Sequence, residues 1–174
     1  MILGIVLAGG QSTRFGGDKA LAELAGHTLL ARAVDTLSGW CEHVVVVGRS
    51  MAPAPTLPDW PRPGMGPLAG IAAALRFAQD EGYEAVLTCG VDSVDLPADL
   101  LARLQPGPSY LESQPVIGLW LPSHAPVVEG LLRGEEKHSM FHFAETIGAR
   151  AVTLPTPPAN INTPEDLERA ARPD

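Results

Sequence analysis

The clearest chemical pattern in the chain is a glycine-rich stretch near its beginning, residues 7–21, which reads LAGGQSTRFGGDKAL. It follows the apolar run MILGIV and contains four glycines and two cations, Arg14 and Lys19. Glycines let a backbone approach a phosphate and turn its N–H groups towards it, while Arg and Lys neutralise phosphate charge. A tight turn is the simpler alternative, but it needs neither so many glycines nor two cations. The stretch matches neither Gly-x-x-x-x-Gly-Lys-Ser/Thr nor Gly-x-Gly-x-x-Gly, so it predicts a phosphate-binding loop of another type.

A second candidate is the segment CGVDSVDLP, residues 89–97, which closes the apolar run EAVLT. Asp92 comes at the end of this predicted strand, where a carboxylate suits a Mg²⁺ ion that bridges phosphate oxygens. On this evidence alone, a turn aspartate is an equally good interpretation. Asp95 is better explained as a turn or helix-start residue.

A third candidate is NINTPEDL, residues 160–167. Asn160 and Asn162 precede a predicted helix and offer amides to a second substrate, although loop residues beside a helix cap are the simpler interpretation. Thr163 and Asp166 have the spacing of a capping box, with Pro164 at the first helical position.

Other reactive residue types give weaker patterns. His138 and His142 have the spacing of a metal-binding helix, but no third ligand accompanies them, and a packed helix is favoured. There is no Gly-x-Ser-x-Gly elbow, and neither Cys41 nor Cys89 has a histidine partner in its sequence context. Nucleophilic hydrolysis is therefore not supported.

These candidates lie between apolar runs that alternate with helix-length segments. Strands are predicted at ILGIVL, HVVVVG, EAVLTCG, PVIGLWLP and ARAVTLP, and helices at TLLARAVDTLSGW, LAGIAAALRFAQDEG, PADLLARLQ, PVVEGLLRG, SMFHFAETIG and TPEDLERAAR. In the first helix the apolar residues predicted to form one face are Leu29, Leu30, Ala33, Val34 and Leu37. Strands with continuous apolar sequence are typical of a sheet covered on both faces. The order predicts an α/β three-layer sandwich with a mostly parallel sheet and right-handed crossovers.

The segment SMAPAPTLPDWPRPGMG, residues 50–66, carries five prolines. Proline excludes it from a helix interior or a central strand, so a long loop is predicted. In an open parallel sheet, ligands bind beyond the carboxyl ends of the strands. We therefore expect the glycine-rich stretch and Asp92 to meet there.

Composition limits the possible partners and location. The 174 residues favour one domain, and the net charge of −8 argues against a duplex nucleic acid as partner. No apolar stretch reaches the roughly 20 residues needed to span a bilayer, and a signal peptide is not indicated. Two distant cysteines indicate buried thiols in a reducing compartment, which predicts the cytoplasm. Nothing in the sequence demands more than a monomer.

Taken together, LAGGQSTRFGGDKAL, GPLAG (residues 66–70), the aspartate that closes a central strand and NINTPEDL resemble the molybdenum cofactor guanylyltransferases. The order and spacing match from end to end. A looser form of the first motif also occurs in the wider nucleotidyltransferases with a Rossmann-like sheet, and the doubled Gly9-Gly10, the GGDKAL ending and GPLAG favour the guanylyl branch. The resemblance implies transfer of GMP from GTP to the phosphate of molybdopterin, with Mg²⁺ as cofactor and pyrophosphate as the second product.

The same resemblance implies the site residues. Arg14, Lys19 and Asp92 would be catalytic, with Arg14 stabilising the leaving pyrophosphate and Asp92 binding Mg²⁺. Asn160 and Asn162 would bind the acceptor. The implied nucleotide contacts are Leu7, Ala8, Gly9, Gly10, Lys19, Val47, Asp59, Gly66, Pro67, Leu68 and Asp92. Residues 1–105 would form the nucleotide-binding half of the single domain 1–174, and residues 106–174 the acceptor-binding half.

Two positions differ from the family pattern. Val47 replaces a frequent asparagine and offers only its backbone, and Val94 replaces a common proline after the metal-binding aspartate. The alternatives are a cytidylyl- or sugar-phosphate nucleotidyltransferase of the same fold, or a non-catalytic GTP-binding homologue. Chaperones or apo-enzymes that receive the product are further possible partners.

Overall fold

The structure is a computed structural model that describes residues 1–9, 17–135 and 138–172. The strands are β1 (Ile2–Leu7), β2 (Glu23–Leu24), β3 (His27–Thr28), β4 (His43–Val47), β5 (Thr56–Leu57), β6 (Ala85–Gly90), β7 (Ser93–Val94), β8 (Ser109–Leu111), β9 (Gln114–Trp120), β10 (Arg150–Val152) and β11 (Ala159–Asn160). The α-helices are α1 (Leu29–Ser38), α2 (Pro67–Glu81), α3 (Leu100–Leu104), α4 (Ala125–Arg133), α5 (Met140–Thr146) and α6 (Pro164–Ala171), and short 3-10 helices span Lys19–Leu21 and Pro122–His124.

Seven strands form the central sheet in the order β10-β8-β9-β6-β1-β4-β5. The centre is parallel, because β1 pairs in parallel with both β4 and β6, and β4 with β5. Strand β9 is antiparallel to β6 and to β8, whereas β8 and β10 are parallel. The predicted α/β class with a mostly parallel sheet is confirmed.

Helices cover both faces of the sheet, which explains why the strands are continuously apolar. Leu3 and Ile5 of β1 pack into the core that contains α2, α4 and α5, and Val6 packs into the opposite core with α1 and α3. Alternate residues of one strand therefore enter different cores, as the pleat requires. The result is the predicted three-layer sandwich.

The helix starts and the buried helix face agree with the prediction from the sequence. All five apolar residues predicted for one face of α1 are buried, and Thr28 caps the helix by accepting a hydrogen bond from the Ala31 N–H. The capping box of Thr163 and Asp166 is present at the start of α6. Helix α2 begins at Pro67, at the first-turn position predicted for it.

The proline-rich segment contributes only the two-residue edge strand β5, where proline is tolerated. The hairpin β2–β3, the antiparallel pair β7–β11 and strand β8 were not predicted, because two or three residues show no periodicity. Of the helices formed by the described residues, none combines the length and apolarity required to span a membrane.

Candidate active site

The register of the central strands brings three chain segments to one edge of the sheet. Leu7, at the end of β1, pairs with Val47 at the end of β4 and with Gly90 at the end of β6. The residues that follow these three strands must therefore meet above the sheet. This is the edge at which open α/β sheets bind ligands.

A close backbone crossing joins the first two of these segments. Gly48 has φ +96°, and a Cβ at this position would lie 2.5 Å from the Gly9 nitrogen and 2.6 Å from its Cα. The Ala8 N–H donates to the Val47 carbonyl at 2.9 Å. Only glycine at position 48 permits this contact, which fixes where the glycine-rich stretch leaves β1.

The three segments and the start of α2 enclose a cleft of about 430 Å³. Its polar side chains belong to Lys19, Asp59 and Asp92. The remaining lining residues are small or apolar: Leu7, Gly9, Val47, Gly64, Gly66, Pro67, Gly70, Gly90, Val91 and Val116. The N-terminus of α2 thus faces the cleft, where its dipole favours an anion.

Lys19 and Asp92 form an ion pair across this cleft. The Lys19 Nζ lies 3.6 Å from the Asp92 Oδ2, and the two side chains are 18% and 29% exposed. Gly90 makes room for the carboxylate, because a Cβ there would lie 2.6 Å from the Asp92 Oδ1. Asp92 is therefore folded back over the end of its own strand, towards the cleft.

Asp59 reaches the cleft from the proline-rich segment. Its carboxylate packs against Gly9 and Gly70, since a Cβ on either glycine would lie 3.8 Å or 3.5 Å from one of its oxygens. Burial raises the pKa of the Asp59 carboxyl above its ordinary value. A ligand that donates hydrogen bonds to Asp59 would therefore stabilise its charged form.

The neighbouring Trp60 anchors the Asp59 segment to the helical layer. Its backbone N–H donates to the Ala69 carbonyl at 3.1 Å, and the guanidinium carbons of Arg76 and Arg133 each lie 5.1 Å from the centroid of its indole ring. The position of Asp59 is thus set through contacts with α2 and α4.

A second ion pair fixes the residue before Lys19. Arg49 follows Gly48, and its two terminal nitrogens lie 2.9 Å from the two oxygens of Asp18. This hydrogen bond lowers the pKa of the Asp18 carboxyl, with burial opposing it. The forked geometry holds the start of the Lys19 helix against the end of β4.

Asn160 and Asn162 are brought next to Asp92 by the β7–β11 pair. Asn160 lies opposite Ser93, and the Ile161 N–H donates to the Asp92 carbonyl at 2.7 Å. The Asn160 side chain is exposed, and the Asn162 N–H donates to Asp166 at the cap of α6. The last motif therefore packs against the segment that carries Asp92, although neither asparagine is among the residues that line the cleft.

The structure places the other predicted residues in different environments. Gly66 and Pro67 line the cleft, whereas Leu68 is completely buried in the core and Ala8 is 8% exposed in the opposite core. Gly10 and Arg14 lie outside the described residues.

The remaining candidates lie away from the cleft. Asp95 is exposed with φ +55° and lines a separate cavity of about 240 Å³ beside α1. His138 lies within hydrogen-bonding distance of the Gly134 carbonyl, and Ser139 caps α5.

Several residues that line the cleft or shape it from behind were missed by sequence reasoning. Gly48 and Gly70 accommodate close approaches of distant segments, and Val116 comes from β9, which follows the central strands by a long connection. The only available signals were the glycine that ends HVVVVG and the second glycine of GPLAG. Neither signal indicates which partner the glycine contacts.

The donor set fits Mg²⁺ bound together with a nucleotide. Within residues 1–9, 17–135 and 138–172, no group of three or more His, Cys, Asp or Glu side chains can hold a metal by itself. Mg²⁺ usually takes one or two carboxylates and completes its shell with water and substrate phosphates. Asp92, partly exposed and beside Lys19, supplies such a carboxylate.

Comparisons with a family model and with individual known proteins agree on the family that this chain resembles. The family model of the MobA-like NTP transferase domain matches residues 4–137. The chain is 37% identical over 180 residues to the molybdenum cofactor guanylyltransferase of Rhodobacter capsulatus, covering 97% of this chain and 94% of that protein. It is 39% identical over 183 residues to the protein of the same name from Acidiphilium cryptum, with 95% and 92% covered.

A solved structure has the same fold. It is the molybdopterin-guanine dinucleotide biosynthesis protein A of Archaeoglobus fulgidus, with a TM-score of 0.73 at 23% identity, covering 98% of this chain and 97% of that one. The likeness extends over both halves of the sheet.

Proposed function

This chain belongs to the MobA-like NTP transferases and, among them, to the molybdenum cofactor guanylyltransferases, and we propose that it transfers GMP from GTP to the phosphate of molybdopterin. The products are the guanine dinucleotide form of the cofactor and pyrophosphate. The observation that carries this proposal is the Lys19–Asp92 ion pair, 3.6 Å long, in a cleft at the carboxyl ends of parallel strands.

GTP occupies the cleft between β1, β4 and α2. The backbone of Leu7 and Gly9 contacts the nucleotide, and Asp59 accepts hydrogen bonds from it. The N-terminus of α2 at Gly66 and Pro67 lies beside the phosphates. Val47 contributes no side-chain hydrogen bond because its side chain is apolar, and its carbonyl already accepts from the Ala8 N–H.

The acceptor approaches from the side of β11. Asn160 and Asn162 orient its phosphate, and the β7–β11 pair connects them to the segment that holds Asp92. Residues 1–105 thus serve the nucleotide, and the last motif of residues 106–174 serves the acceptor.

The reaction forms a bond between an oxygen of the acceptor phosphate and the α-phosphorus of GTP, and it breaks the bond from that phosphorus to the bridging oxygen of pyrophosphate. A phosphate monoester is already anionic near neutral pH, because its second pKa is about 6. No strong general base is needed. The protein contributes alignment and neutralisation of charge.

Lys19 neutralises charge on the leaving pyrophosphate, and Arg14 of the glycine-rich stretch does the same. Asp92 would hold Mg²⁺, which when bound polarises a phosphoryl oxygen and screens its charge from the incoming phosphate. Asp18 and Arg49 keep the Lys19 helix in place, so that its ammonium group stays over the cleft.

The location and partners follow from the same proposal. We place the enzyme in the cytoplasm as a monomer, and its two cysteines, both buried as free thiols, fit a reducing environment. Neither nucleic acid nor membrane is a partner. Chaperones or apo-enzymes of molybdoenzymes receive the product.

The test is calorimetric titration with GTP, CTP, ATP and UTP, each with and without Mg²⁺, followed by a transfer assay with molybdopterin. We expect heat for GTP that weakens without Mg²⁺, and loss of the Mg²⁺ effect in Asp92→Asn, which keeps the side-chain size. A preference for CTP would assign the cytidylyl reaction instead. GTP binding without transfer would indicate a non-catalytic homologue.

A further inference from the structure

A buried amide connects the two halves of the candidate site. Gln114, the first residue of β9, is 9% exposed, and its side chain lies between Ser93 and the carbonyl of Pro158. The Gln114 Nε2 donates to the Pro158 oxygen at 2.8 Å, and the Ser93 hydroxyl donates to the Gln114 Oε1. Ser93 itself is 7% exposed.

The orientation of this amide is determined by its partners. A carbonyl only accepts hydrogen bonds, so the amide nitrogen of Gln114 must face Pro158. Its oxygen then faces Ser93, and the hydroxyl must donate. The bridge therefore has one arrangement, and all of its groups are uncharged.

The bridge joins the segments that carry Asp92 and Asn160. Ser93 directly follows Asp92, and Pro158 directly precedes β11 (Ala159–Asn160). The backbone contact between these segments is short, with two residue pairs and the hydrogen bond from Ile161 to the Asp92 carbonyl. A two-stranded pair of this length is marginal by itself in water.

We propose that Gln114 is a positioning residue for the transfer step, which holds the Asp92 segment and the Asn160 strand in register. The proposal rests on the proposed function and adds the residue that aligns its two substrates. Because in-line attack depends on alignment, a misplacement of about 1 Å can cost roughly 100-fold in rate. Gln114 is not one of the residues that line the cleft, so its loss should spare GTP binding.

The proposal is tested with two variants of the bridge and one matched control. Gln114→Leu removes both hydrogen bonds of the bridge and keeps a side chain of similar size. Ser93→Ala removes only the hydrogen bond to the Gln114 Oε1 and is the milder substitution, in case the first variant does not fold. The control is Ser109→Ala on β8, which removes a buried side-chain hydrogen bond to the Leu104 carbonyl, away from the cleft.

Four quantities are measured for each protein: the Kd for GTP by calorimetry, kcat and the KM for molybdopterin in the transfer assay, and the hydrogen-exchange rate of the Ile161 amide. We expect both bridge variants to keep the GTP Kd within about twofold of the wild type. Their kcat should fall roughly 10- to 100-fold, their acceptor KM should rise, and the Ile161 amide should exchange faster. Ser109→Ala should change none of these quantities.

Two results would contradict these expectations, and they can be told apart. Unchanged kcat, acceptor KM and Ile161 exchange in the bridge variants would overturn the positioning role, while an active wild type would keep the proposed function. A wild type that binds GTP but forms no dinucleotide would overturn the proposed function, and the positioning role with it.

Discussion

Lys19 and Asp92 follow different strands of the sheet, and their side chains meet with the Nζ 3.6 Å from the Oδ2. The pair places a cation and an anion side by side in one partly closed cleft. A triphosphate with its metal presents the complementary arrangement, with phosphate charge for Lys19 and a divalent ion for Asp92. The geometry therefore supports the roles proposed for Lys19 and Asp92.

Removing either charge should abolish most of the transfer activity. We expect Lys19→Ala and Asp92→Ala each to lower kcat by at least roughly 100-fold, because each removes a preorganised charge from the reacting phosphates. Steady-state kinetics and thermal unfolding check this result. Arg103→Ala, which removes an exposed ion pair with Asp99 on α3, is the control and should stay near wild type. Near-normal turnover in either site variant would contradict the assigned roles.

Gly48→Ala should damage nucleotide binding more than its backbone strain alone explains. Gly48 and Gly82 both have positive φ, +96° and +79°, but only at Gly48 would a Cβ collide with another backbone, that of Gly9. Gly82→Ala should cost about 1–2 kcal/mol in the free energy of unfolding and leave the GTP Kd unchanged. Gly48→Ala should cost more and raise the GTP Kd at least about tenfold, since Gly9 must move. Equal effects of the two variants on both quantities would show that the crossing is unimportant.

The central part of the fold was predictable because its elements are long and strongly patterned. Strands β1, β4 and β6 are five or six residues long, and α1 has a complete apolar face. Strand β8, with three residues, and the pair β7–β11 were not predictable, because backbone pairing rather than residue pattern defines them.

The candidate site was predictable where its residues directly follow strongly patterned strands. The position of Asp92 at the end of a buried strand follows from the sequence, and so does its proximity to the glycine-rich stretch. The bridge of Gln114 and the pairing of Asp18 with Arg49 were not foreseen, because each joins segments distant in the chain. A single glutamine or arginine carries no signal that identifies its partner.

Asp59→Asn should stabilise the free protein at neutral pH while weakening GTP binding. Burial raises the pKa of Asp59 above 3.8, so the folded protein binds a proton at this carboxyl more tightly than the unfolded chain does. The resulting stabilisation is complete below pH 3.8 and is lost as the pH rises through the pKa of the folded state. The variant should therefore unfold at a higher Tm than wild type near neutral pH, with a difference that shrinks as the pH falls. Melting curves between about pH 4 and pH 7 measure this difference, and a gain that grows towards low pH would contradict the sign.

Trp60→Ala should weaken GTP binding without changing kcat at saturating substrate. The indole makes cation–π contacts with Arg76 and Arg133, and each such contact contributes about 0.5–1 kcal/mol at a surface site. If that energy fixes the Asp59 segment, its loss should raise the GTP Kd roughly 5- to 30-fold. Arg133→Met removes one of the two contacts and should produce a smaller increase, which calorimetry can rank against Trp60→Ala. A GTP Kd unchanged in Trp60→Ala, with a lowered Tm, would show that the stack stabilises the fold but does not position Asp59.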